Sequence, residues 1–247
     1  MGSFFAGVKA GTLAGILYAA GLGFFAGLVL VAFKSEVIAY ISQPQEYAVV
    51  CGVTGSATNS TALQLCYSSQ FALFVPFMAF VIFFVALFWS ALFGIWYERF
   101  PGQNAATKGE VLATAMVVVT FLLIGFPYGY AFSYDTALVS GTFLIVWSIL
   151  FGYVLGRSYR RYTRLVAIDS QDPDLLKVLV DGHDFTGKSR TFAYTSNHKL
   201  KAELSDDASF REWEVTGALS VEDPRSFETV VEINGDGALK GIVTRKY

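Results

Sequence analysis

Charge is what this chain has least of. Only 15% of its 247 residues are charged, where an ordinary soluble domain has about 25%. Whole stretches carry no charge: residues 10–33, 47–97, 111–134 and 136–156 contain no Asp, Glu, Lys or Arg. Within them lie apolar runs of about 20 residues, long enough to cross a bilayer core. Histidine is scarcer still. The two, His183 and His198, lie in the C-terminal third, so haem or metal ligation within the apolar stretches is excluded. No ionisable residue falls well inside those stretches, which rules out an embedded proton relay, counter-ion or charged-substrate site. A net charge of −2 gives no footing for nucleic acid as a partner.

What is present is hydrophobic: 54% of the residues are hydrophobic and the mean hydropathy is +0.49. Four membrane spans are expected, at about 10–33, within 71–97, at about 110–132 and at about 138–156. From Arg157 onward charges are frequent, and short alternating segments are separated by "DG", "SN", "DD", "EDP" and "NGDG". That spacing reads as a small antiparallel β-domain, sandwich or grasp-like. The fold class is therefore an α-helical membrane protein of four transmembrane helices plus a small all-β C-terminal domain, divided into residues 1–164 and 165–247. The first span is too long for the apolar region of a secretory signal, and no small-residue cleavage site follows it.

Sidedness follows from basic residues in the short flanking segments. Lys9, Arg99, Lys108 and the cluster Arg157, Arg160, Arg161 and Arg164 in "RSYRRYTR" place both termini in the cytoplasm, with Lys34 dissenting. The cluster is read as an inner-leaflet anchor. The expected outer loop, residues 35–69, holds both cysteines, Cys51 and Cys66. Two cysteines in one exposed loop point to a disulfide in an oxidising compartment, here closing a short hairpin. Between them "NST" makes Asn59 an N-glycosylation acceptor,.

Two patterns mark the spans. Small residues recur every fourth position at Gly7, Gly11, Gly15, Ala19, Gly23 and Gly27. Each glycine costs about 1 kcal/mol against alanine in a helix in water. In lipid a flat face instead lets another backbone approach, as in a glycine zipper. The second pattern is a repeat: "WSALFGIWYER" (Trp89 to Arg99) and "WSILFGYVLGR" (Trp147 to Arg157) agree at six offsets, and "KAGTLA" matches "KGEVLA" at three. Each pair of spans then reads as one helical hairpin, duplicated in tandem with the same orientation. Hydroxyls at Tyr18, Ser90 and Ser148 are available to bond between helices,.

The C-terminal region shows no phosphate loop, zinc spacing or Ser/His/Asp arrangement by its motifs. His183 with Asp181 and Asp184 in "VDGHDF" is read as a turn between strands and not as a metal cluster.

Two resemblances add to this. Asp181-Gly182, "HKLKAEL", Phe210 with Trp213 three residues on, and "NGDGALKG" make about 65 residues similar to the β-rich repeats of microbial surface proteins, including the internalin B-repeat type. In that family such residues serve packing. The membrane half, through its glycine-rich first span, Tyr97 to Gly102 and Lys108-Gly109, resembles uncharacterised archaeal four-span proteins, which implies an archaeal cell envelope and no activity. The expected function is a non-catalytic plasma-membrane scaffold or accessory subunit, with the bilayer and a partner membrane protein or further copies as its partners. The alternative is a channel or transporter for a small neutral solute. No enzyme activity and no cofactor are expected.

Overall fold

A computed structural model describes residues 3–42, 51, 60–102, 104–120, 122 and 134–246. The chain divides into two compact units. One comprises Gly11–Ser90 with Gly102–Gly156; the other comprises Met1–Ala10, Ala91–Pro101 and Arg157–Tyr247.

The helices are α1 (Phe4–Ala32), α2 (Lys34–Ile41), α3 (Ser60–Trp96), α4 (Ala105–Thr120) and α5 (Tyr134–Tyr162), with a 3₁₀ turn at Tyr97–Arg99. Among the described residues three helical segments are long and apolar enough to cross a membrane: Phe4–Ala32, Thr61–Arg99 and Leu138–Tyr162. The expectation of four is thus not met. The third expected span, about 110–132, is described only through α4 as far as Thr120 and at residue 122. The remainder of that span, 121 and 123–132, lies outside the described residues.

The expected outer loop is also corrected. Its first residues form α2, and α3 begins at Ser60, eleven residues before the expected span. The stretch "TALQLCYSSQ" contains neither Gly nor Pro, so nothing in it breaks a helix. Tyr67, on this added portion, donates its hydroxyl to the Leu30 carbonyl at 2.6 Å and lies 5.4 Å from the Lys34 ammonium. Cys66 therefore sits on a helix and not in a hairpin strand. It is bonded to Cys51, with Cα atoms 5.7 Å apart. Asn59 lies outside the described residues.

Within the first unit, small residues govern the packing of α1. A methyl group added at Gly11 would overlap Ser90; at Gly15 it would lie 3.4 Å from Ala86 and Phe83, at Gly23 3.3 Å from Ala79, and at Gly27 3.8 Å from Phe71. Partner numbers fall as the glycine numbers rise, so α1 and α3 run antiparallel. Ala19, in the same series, is buried. A second face of α1 meets α5: Gly21 abuts the Trp147 ring, Tyr18 and Ser148 share a hydrogen bond at 2.9 Å, and Phe25 stacks on Phe143. Between α4 and α5 the approach is backbone to backbone, and Gly109, Gly152 and Gly156 leave no room for a Cβ.

The second unit contains a seven-stranded sheet. Its strands are β1 (Thr163–Ser170), β2 (Leu176–Val180), β3 (His183–Asp184), β4 (Lys188–Ala193), β5 (Ser196–Leu204), β6 (Ala208–Val221) and β7 (Glu228–Arg245). The order is β3-β2-β5-β7-β1-β4, with β6 also on β7. β7 organises it: along one edge it pairs with β6 from Val231 to Arg245, interrupted at 234–236, and along the other with β5 first and then, in parallel, with β1. One mixed, curled sheet replaces the expected antiparallel domain. The sheet closes over Ile168, Leu176, Val178, Leu200, Trp213, Ile233 and Leu239, all buried.

The "NGDG" segment, expected as a turn, lies inside the 18-residue β7. Its glycines serve close approach instead. A Cβ at Gly237 would overlap the Thr216 carbonyl, one at Gly235 would meet Ala218, and β7 bulges here, residues 234–236 lying opposite Ala218 alone between Gly217, at φ +81°, and Leu219,.

Candidate functional site: where helix ends meet the sheet

The last helical residues, "RSYRRY", run without a linker into β1: α5 ends at Tyr162 and the strand starts at Thr163. The Thr163 hydroxyl donates to the Tyr159 carbonyl at 2.9 Å, so the helix's final turn is satisfied by the first strand residue. Tyr159 is fully buried. Its ring meets Phe93 at 5.3 Å and Tyr97 at 4.6 Å between centroids, and its hydroxyl accepts the Ser3 N–H at 3.1 Å. Gly94 is the counterpart of Gly152 in the repeat, and a side chain there would press on Ser3 and Gly7 of α1. Both glycines of the repeat thus face the partner helix of their own hairpin.

Polar groups bind these helix ends to the sheet. Arg160 makes two hydrogen bonds to Asp236, at 3.1 and 2.6 Å, and Asp236 also accepts the Leu165 N–H at 2.8 Å. Burial pushes the Asp236 carboxyl up, but these donors and the nearby Arg164 charge more than offset it, leaving it below the ordinary 3.8,. Glu98, in the 3₁₀ turn, accepts the Thr191 N–H at 3.0 Å. Thr191 belongs to β4, the last strand of the order, so this carboxylate occupies a donor on an edge that would otherwise be open to pairing.

The four arginines expected as one anchor are put to different uses. Arg160 holds Asp236; Arg164 donates to the Arg160, Arg161 and Thr163 carbonyls and lies 4.4 Å from the Tyr194 ring centroid. Arg157 and Arg161 are exposed. Asp181, His183 and Asp184 do not gather. Asp184 accepts the Thr186 N–H and hydroxyl, which hold its carboxyl below its usual range. Among the described residues no group of three His, Cys, Asp or Glu could hold a metal.

Sequence motifs missed one arrangement. Asp181, beyond β2, accepts from His198 Nδ1–H at 2.7 Å, and His198 Nε2 lies 2.9 Å from the Ser196 hydroxyl. A Ser/His/Asp chain is therefore present, contrary to the expectation. Ser196 and His198 alternate along β5 and so share one face of the strand. Pairing of Val180 with Leu200 brings Asp181 alongside them. A Ser-x-His pair in a strand was the available signal; the acid could come only from the pairing.

No protein-family model, curated protein or solved structure matches the chain.

Proposed function

We propose that this chain is a multi-pass membrane scaffold or accessory subunit that holds its sheet at the membrane surface. The observation that carries the reading is the composition of the second unit: the start of α1, the end of α3 and the end of α5 belong to the same compact body as the sheet. A domain meant to move freely on a tether would be joined by a linker, whereas here Tyr162 and Thr163 are adjacent members of a helix and a strand. Membrane embedding is supported by the surface of α3, where Phe77, Phe80, Phe84 and Phe88 are each more than half exposed. Water tolerates such a face poorly; hydrocarbon is a matched solvent for it. The basic residues at the helix ends favour a cytoplasmic sheet, in a plasma membrane.

The glycine series does not by itself recruit a partner, since Gly11, Gly15, Gly23 and Gly27 already face α3. A partner membrane protein or second copy would meet the phenylalanine-rich surface. The transport alternative draws on the repeat; of its hydroxyls, Ser90 donates to the Ala86 carbonyl and Ser148 bonds Tyr18, both buried.

The test is purification of tagged chain from mildly solubilised native membranes, with size and composition measured together. A stoichiometric membrane partner or discrete oligomer is expected. A lone monomer, or solute flux through liposomes containing only this chain, would overturn the scaffold reading.

A further inference from the structure

We infer that Ser196, His198 and Asp181 form a nucleophilic acyl-transfer site whose substrates are carboxylic esters presented at the membrane surface. The arrangement meets the geometric requirement for an activated serine: a base within hydrogen-bond reach of the nucleophile, and a third group orienting the base. Here those separations are 2.9 and 2.7 Å. Asp181 is itself fixed, because its second oxygen accepts the Lys199 N–H at 3.0 Å and its backbone is left-handed at φ 51°. With Asp181 accepting from Nδ1–H, neutral His198 presents a lone pair at Nε2. The Ser196 proton then has two acceptors, Nε2 and the Ala193 carbonyl at 2.6 Å.

The location selects the substrate. Ser196 follows the turn whose Tyr194 N–H donates to the Tyr162 carbonyl, the final residue of an apolar segment long enough to span a membrane. The exposed side chains beside this turn are Tyr162, Tyr194 and Leu165, of the kind that seats at a headgroup boundary. The His198 side chain is 19% exposed and that of Asp181 51% exposed, so an ester at that boundary can approach from the open side. This choice of substrate rests on the membrane reading above; the nucleophile does not.

In the reaction, Ser196 Oγ bonds to the ester carbonyl carbon while its proton passes to His198 Nε2. Collapse breaks the bond to the alcohol oxygen, which leaves with that proton as the alcohol, and Ser196 carries the acyl group. Water attacks the acyl carbon, its proton going to His198 and from there to Ser196 Oγ as the carboxylic acid departs. Oxyanion-hole donors are worth about 10²–10³ each in kcat. At this open surface the developing oxyanion would be hydrated, so slow turnover is expected and reactivity is best read with a strong electrophile.

The full-length chain in detergent is treated with a short alkyl fluorophosphonate and the labelled peptide mapped by mass spectrometry. Phosphonylation of Ser196 is expected, slowed at least tenfold in His198→Gln. Asp181→Asn keeps the left-handed backbone and the Lys199 bond, and serves the same comparison if His198→Gln does not fold. An unlabelled Ser196, or labelling unchanged in the folded variants, overturns the site: the three residues would then be a closed structural network with Ser196 donating to Ala193. A second arm uses a long-chain phosphonate borne in vesicles holding the reconstituted chain. Labelling there supports an interfacial ester; reaction with the short probe alone overturns the substrate class while leaving the nucleophile standing.

Discussion

Gly109 and Gly152 meet backbone to backbone, with the carbonyl of each where a Cβ of the other would stand. Nothing but hydrogen fits at either position. The approach exposes two helices to each other's peptide groups, and dispersion with weak Cα–H···O contacts offsets the low helix propensity of glycine.

Gly152→Ala is therefore expected to destabilise the helical unit by about 1–3 kcal/mol, the usual cost of overpacking. Gly27→Ala, where the nearest atom is 3.8 Å away, should be neutral or mildly stabilising. Thermal unfolding in detergent compares the two; equal midpoints would refute the close approach.

The ion pair between Arg160 and Asp236 makes a pH-dependent contribution. A carboxyl held below 3.8 in the fold stabilises at pH values above that figure, and the contribution is lost as pH falls through the folded value. Both side chains are about half exposed, so screening keeps the ion pair itself to about 0.5–1 kcal/mol. Asp236→Asn should lower stability at pH 7 and lose less than wild type between pH 7 and pH 3. Parallel pH profiles for the two proteins would contradict this.

Removing the Glu98 carboxylate should be felt at a single amide. Glu98→Ala leaves the Thr191 N–H without its acceptor, at a cost of about 1 kcal/mol. Hydrogen exchange at Thr191 should accelerate severalfold while amides in β5 and β7 stay protected. An unchanged Thr191 rate would show that the edge is not held by Glu98.

The disulfide gives a redox prediction. Cys51 and Cys66 are 15 residues apart, and closing a loop of about that length is worth about 3 kcal/mol in the chain-entropy account. Reductant should lower the unfolding temperature of the wild type and leave that of Cys51→Ser unmoved. Two alkylatable thiols in the unreduced protein would exclude the bond.

Much of the helical architecture was legible because hydropathy is local. The uncharged run 10–33 lies almost wholly within Phe4–Ala32, and "WSILFGYVLGR" within α5. The start of α3 was not legible: residues 60–69 are polar enough for a loop, and α3 begins at Ser60, with Tyr67 reaching the Leu30 carbonyl. Likewise "NGDG" has the composition of a turn, but the pairs that flank it, Ile233 with Leu219 and Gly237 with Gly217, carry the strand through it.

From composition and period alone came the apolar helices, the alternating strands, the small-residue series and the pairing of the only two cysteines. Each depends on residues near one another in sequence, or on there being no other choice. The tertiary structure decided which face of α1 meets α3 and which meets α5, that the β-domain is one mixed sheet turning about β7, and that Arg160 finds Asp236 76 residues away. It also brought Asp181 to His198 across 17 residues. Those outcomes depend on strand register and helix crossing, which are set by the sum of many weak contacts distributed along the chain, so no single stretch of sequence contains them.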